Sequence, residues 1–167
     1  MKQLLLYITF ALNLIGCTHT SENTQSENLA LVKKFMLAVE NKDTSTMASL
    51  LADNYEGYGP SISDSTNKED ALKNFEYNLD NLYESVRYTR YQNMALAVSP
   101  GSEAETGDWI SNWAYLTIKY KGQRGTVNLW VNAVYRIENG KIVHSRTFYN
   151  EADVLRQLGY TTVKPND

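Results

Sequence analysis

In the second half of the chain apolar and polar residues alternate with period two, and that alternation limits the fold more than any other feature. Four long segments carry it, residues 86–98, 108–121, 126–138 and 141–149, each rich in β-branched and aromatic side chains. Asn139-Gly140, between the last two, is a strong two-residue hairpin signal, because both central positions of the favoured turn need positive φ. Gly122-Gln123 is a weaker signal of the same kind. The loop over 99–107 sets no register. Segments joined this closely predict an antiparallel meander.

The first half supplies helices to cover it. Thr24 and Glu27 stand at capping-box spacing, and Leu29, Val32, Met36 and Val39 then recur on one helical face. Asn41-Lys42-Asp43 breaks that helix, and Asp43 caps a short second one through Met47, Leu50 and Leu51. Residues 53–60, DNYEGYGP, read as a short strand and loop. A third helix starts at Thr66, with Glu69 completing a capping box, and buries Leu72, Phe75, Leu79 and Leu82. A last helix over 151–158 stops at Gly159. The pattern predicts an α+β fold, a curved antiparallel sheet with its helices packed on one face.

The 167 residues, 43% hydrophobic and 21% charged, suit one globular domain. Residues 1–16 carry one lysine, no acid and an apolar run over 4–15, too brief for a permanent span, and read as an export signal peptide. Without them Lys+Arg falls from 16 to 15 against 19 Asp+Glu, a balance of −4 that disfavours nucleic-acid binding. The single cysteine, Cys17, follows Leu14-Ile15-Gly16, a spacing that resembles the bacterial lipobox. One cysteine excludes an internal disulfide or a redox pair. Acylation of Cys17 would anchor the chain without spanning the membrane. The polar stretch over 17–27 then reads as a flexible tether, residues 28–160 as the folded domain, and 161–167 as a C-terminal tail. The expected location is the bacterial cell envelope, on the periplasmic or outer-surface side, with membrane contact through the lipid alone.

Two-residue turns fix which side chains share a face. A turn at Asn139-Gly140 sets Ala133 opposite Arg146, Tyr135 opposite His144 and Leu129 opposite Asn150. A turn at Gly122-Gln123 sets Ala133 beside Asn112 and Leu129 beside Leu116. One face is then an aliphatic wall that includes Tyr135 and Phe148, interrupted by Asn112, His144, Arg146 and Asn150. The opposite face collects Trp109, Trp113, Tyr115, Trp130, Asn132 and Tyr149. Such an aromatic surface fits a homodimer interface or a satellite core.

The segment GKIVHSRTFYNEADVLRQLGY, residues 140–160, resembles the end of SnoaL-like members of the nuclear transport factor 2-like superfamily, and ENKDTSTMASLLADNY in the opening helices is similar too. The resemblance covers residues 28–160 and implies a cone closed by a final strand and a short helix. SnoaL-like cyclases use an aspartate at the end of the last strand as general acid/base. The matching position here is Asn150, an amide that orients an oxygen but takes no proton near neutral pH.

Among the candidate ligand-binding residues, His144 reads either as a proton shuttle or as a half-exposed structural imidazole. Arg146 reads as an anion-binding fork or the partner of an acid such as Glu56 or Asp70. Tyr55 and Tyr58 line a cavity mouth or simply pack. Gly57-Tyr58-Gly59 lacks the context of a nucleotide loop. Arg87, Tyr88, Arg90 and Tyr91 interleave base and aromatic but read as a solvated strand, and no His and acid spacing suggests a metal site. The expectation is an exported domain that binds a small, partly apolar molecule without catalysis or cofactor. An isomerase, cyclase or hydrolase of the SnoaL-like kind is the alternative, and a protein-interaction module the second.

Overall fold

The computed structural model of the chain describes residues 16–98, 101, 106–161 and 163. The expected signal peptide, up to residue 15, and nearly all of the expected tail lie outside the described residues.

Helix α1 (Gly16–Glu40) is longer than the sequence reading. It continues through the stretch read as a tether, so Thr24 and Glu27 lie inside it and not at its start. No proline or glycine between Cys17 and Glu40 interrupts the backbone, and polar residues cost a solvated helix little. Packing begins at Asn28, buried with its Nδ2 donating to Asp108 Oδ2 at 3.1 Å. Asp43 caps α2 (Thr44–Leu50), accepting from the Thr46 amide at 2.9 Å. For α3 (Lys68–Tyr77) the cap is Asn67, which accepts from the Asp70 amide, rather than Thr66. A π-helical turn (Asn78–Leu82) follows and buries Leu79. Lys42 Nζ donates to the carbonyls of Leu79 and Tyr83 there, filling acceptors that a helix end leaves open.

The sheet has six strands in the order β2 (Ser65–Asn67), β1 (Leu51–Tyr58), β6 (Lys141–Tyr149), β5 (Thr126–Glu138), β4 (Asp108–Tyr120), β3 (Tyr83–Ala97). It is mixed, because β1 runs parallel to β6, whereas the meander from β3 to β6 is antiparallel as expected. Asn139 and Gly140 both have positive φ, as do Gly122 and Gln123, the conformation that tight hairpins demand. The β4–β5 register is the expected one, with Asn112 opposite Ala133 and Leu116 opposite Leu129.

The β5–β6 register departs from the expected one. Ile137 pairs with Ile142, but Arg136 pairs with His144, so Val143 is an extra residue in β6. Ile142 and Val143 are both buried. A bulge of one residue moves every later side chain to the other face. Tyr135 therefore faces Ser145, Ala133 faces Thr147 and Val131 faces Tyr149.

Helix α4 (Glu151–Gln157) returns across the end of β5. Because β6 stops opposite Val131, the β5 edge beyond it lacks a strand partner on that side. Gln157 fills that place. Its Oε1 accepts from the Asn128 amide at 2.9 Å and its Nε2 donates to the Asn128 carbonyl at 2.8 Å, satisfying a backbone pair that would otherwise be left to water.

Candidate functional site

The sheet, α1, α3 and the π-helical turn enclose a cavity of about 240 Å³. Asn112, Ala133 and Tyr135 form one end and are buried; Tyr83, Tyr120, Tyr149 and Val154 form the other and are half-buried. Phe35 braces the buried end, its ring edge-on to Tyr135 with centroids 6.0 Å apart. Tyr83 and Tyr120 meet edge-on at 5.2 Å at the more open end.

Six tyrosines line this space: Tyr55, Tyr83, Tyr88, Tyr120, Tyr135 and Tyr149. Burial raises the pKa of every one of them above the ordinary phenol value. Tyr88 is pushed up to about 12, first by burial and then by the Glu40 carboxylate beside it. At neutral pH all six hydroxyls keep their protons, so each can donate one hydrogen bond and also accept. The other polar lining groups are Asn78, Asn112, Ser145 and Thr147. Among the described residues no carboxylate, imidazole, ammonium or guanidinium lines the cavity. The site can therefore hold and orient a neutral molecule, but it contains no side chain whose ordinary pKa suits proton transfer near pH 7.

The hydrogen bonds within it are few. Tyr55 Oη and Ser145 Oγ lie 2.6 Å apart and are both buried. Asn112 Nδ2 donates to Asn93 Oδ1 at 2.6 Å. A second, more open recess of about 320 Å³ adjoins the first and shares Tyr55, Phe75, Asn78, Ser145, Thr147 and Tyr149 with it. Tyr58 and the loop through Gly59, Pro60 and Asp64 form its rim.

Of the residues expected in the site, Tyr55, Asn112 and Tyr135 line the cavity. His144, Arg146 and Phe148 do not, because the Val143 bulge turns them to the outer face of the sheet. There the His144 ring lies 5.0 Å from that of Tyr58 and 5.7 Å from that of Trp109. The Arg146 guanidinium sits over Tyr58 at 5.4 Å, and Phe148 is 47% exposed. Asn150 does not line the cavity either. It is exposed and caps α4, its Oδ1 accepting from the Asp153 amide at 3.0 Å.

The same bulge moves Tyr149 from the expected interface into the cavity. Trp109, Trp113, Tyr115, Trp130 and Asn132 stay on the outer face, as the β4–β5 register requires. Trp113 and Trp130 are 50% and 58% exposed, and Tyr115 packs edge-on against Trp130 at 5.3 Å.

Sequence reasoning missed Ser145 and Thr147, which the bulge turns inward, and Tyr83 and Tyr88. Tyr88 was read as part of a solvated strand, yet its ring lines the cavity while Arg87 points to solvent. The available signal was its place two residues after Val86, which puts both on one face. Arg90, at a second bulge with φ 50°, lies over Tyr115 on the outer face. Among the described residues no group of three or more potential metal ligands comes together.

Comparison with solved structures identifies the architecture. A nuclear transport factor 2-like protein of unknown function from Burkholderia pseudomallei aligns with a TM-score of 0.63 at 16% identity, covering 80% of this chain and 98% of that one. The fold is the nuclear transport factor 2-like cone. A hypothetical protein from Catenulispora acidiphila, with a ketosteroid isomerase-like fold and in complex with trimethylamine, shares the cone at TM-score 0.60 and 16% identity over 78% of this chain and 93% of its own. An epoxide hydrolase from M. tuberculosis does so at TM-score 0.57 and 16% identity, over 80% and 90%. No family model and no curated protein matches the sequence. The cone hosts several chemistries, so the reaction, if any, rests on this chain's own lining residues.

Proposed function

We propose that this cone binds a small, largely apolar, uncharged molecule and does not transform it. The observation that carries the reading is a cavity of about 240 Å³ whose lining, among the described residues, is neutral, six protonated tyrosines among aliphatic walls. Burying a charge there without a counter-charge would be costly. That volume lies below the roughly 300–1,000 Å³ of sites for drug-sized ligands, so the occupant is compact.

The test is extraction and mass spectrometry of small molecules retained by the purified chain, with thermal unfolding against a panel of compact neutral, anionic and cationic compounds. Neutral compounds should raise Tm and charged ones should not. Stabilisation only by carboxylates or ammonium ions would overturn the reading.

Two further parts of the proposal concern where the cone works. Cys17 is acylated and tethers the domain to the cell envelope; its position after an apolar run and a small residue supports this. Cys17→Ala should then abolish lipid labelling and release the protein to the soluble fraction, and equal membrane retention would refute the anchor. Two copies pair through the outer face of the sheet, on which Trp113, Trp130 and Phe148 are each about half exposed.

A further inference from the structure

We infer that the cavity selects for a ligand carrying a neutral oxygen acceptor, a carbonyl or an ether, to which the Tyr135 and Tyr88 hydroxyls donate. This rests on the binding function proposed above and names the ligand's chemical class.

Tyr135 is only 7% exposed and lines the cavity, yet its hydroxyl has no hydrogen-bond partner among the described residues. Such a hydroxyl opens onto the cavity and is completed by whatever occupies that space. Tyr88 is in the same position: its backbone amide donates to Glu40 Oε1 at 2.5 Å, but its hydroxyl, facing the same cavity, has no partner among the described residues. The polar groups nearby are otherwise engaged. Tyr55 Oη is held by Ser145 Oγ at 2.6 Å, and Asn112 donates to Asn93.

Which molecule completes them follows from the chemistry of the lining. Tyr88 and Tyr135 resist ionisation, so they reach the ligand as O–H donors. A carboxylate ligand would accept from them but would meet no cation in the wall. A quaternary ammonium could rest on the rings, yet it offers neither donor nor acceptor and would leave both hydroxyls unsatisfied. A hydrocarbon would fill the space with the same defect. A neutral carbonyl or ether oxygen accepts from these free hydroxyls, and the aliphatic wall takes the rest of the molecule.

Isothermal titration of the full chain with four probes of similar size tests this: acetophenone, isopropylbenzene, benzoate and phenyltrimethylammonium. Acetophenone should bind about tenfold more tightly than isopropylbenzene, and the two ions more weakly than either. Tyr135→Phe, which keeps the ring and its packing, should remove most of acetophenone's advantage while leaving isopropylbenzene within about twofold. Tyr88→Phe should act in the same direction and serves if the first variant fails to fold. Equal binding of acetophenone and isopropylbenzene in the wild type would overturn the oxygen anchor while keeping a cavity that binds apolar molecules. Tightest binding by benzoate or the ammonium would overturn the anchor and the neutral-ligand reading together. Failure of every probe to bind would overturn the binding function itself.

Discussion

Tyr55 lies along its own strand above Gly57, and its hydroxyl meets the Ser145 hydroxyl of the parallel neighbour at 2.6 Å. Gly57 is the residue that pairs with Ser145, so Tyr55 reaches its partner across the one position on that face with no side chain. A Cβ at Gly57 would stand 2.5 Å from Tyr55 Oη and 3.0 Å from Thr66 Cγ2. The hydrogen bond thus depends on a missing methyl group.

Gly57→Ala should therefore push the Tyr55 ring into the cavity and break its bond to Ser145, destabilising the fold by about 1–3 kcal/mol through overpacking. Ligand affinity should fall as well. Ser145→Ala removes the same bond without the clash and should cost less. Urea unfolding of the two variants, with probe binding measured alongside, checks the order; a Gly57→Ala protein as stable as the wild type would contradict it.

The buried tyrosines set the alkaline limit of stability. Their pKa values are higher in the folded chain than in the unfolded one, so folding favours the neutral phenols. That contribution is complete below the unfolded value near 10 and is lost as pH rises through the folded values, about 12 for Tyr88. Tyrosinate absorbance from the cavity set should appear only with loss of circular dichroism. A single wave near pH 10 in a chain that stays folded would show the cavity rings to be solvated.

Asn150 should prove to be a capping residue. Asn150→Ala should cost about 1 kcal/mol of stability through loss of the α4 cap and leave probe affinity unchanged, whereas Asn150→Asp should keep the cap and create no activity. Assays of wild type and both variants on ketone and epoxide substrates check this. Wild-type turnover that vanishes in the alanine variant would restore Asn150 to a chemical role.

The proposed pairing through the outer face would put Trp130 among its anchors, since buried aromatics dominate such interfaces. Trp130→Glu should convert a dimer to a monomer with little effect on folding, because the side chain is 58% exposed in the single chain. Sedimentation of the wild type as a monomer at micromolar concentration would remove the interface.

Much of the fold was legible in the sequence because its signals are local. The Asn139-Gly140 turn and the Gly122-Gln123 turn depend on backbone preferences of two residues each, and they set the expected β4–β5 register and the outward row of Trp109, Trp113 and Trp130. Asp43 and Gly159 mark helix ends for the same reason. The α+β class follows from the change of hydrophobic period near Val86.

What only the tertiary structure decided is the composition of the site, and one residue accounts for most of the difference. Ile142 and Val143 are consecutive apolar residues, and alternation alone would place them on opposite faces. In the folded chain both are buried, Ile142 within the hydrophobic core and Val143 outside it, and the strand gains a bulge. Every later side chain of β6 then changes face, sending His144, Arg146 and Phe148 outward and bringing Ser145, Thr147 and Tyr149 in. The parallel strand β1 completes the site by laying Tyr55 across Gly57 toward Ser145, a contact between residues 90 positions apart. A turn signal is carried by neighbours in the chain, but a bulge depends on which face of the sheet other elements cover, and that is settled only when the whole sheet has closed on its helices.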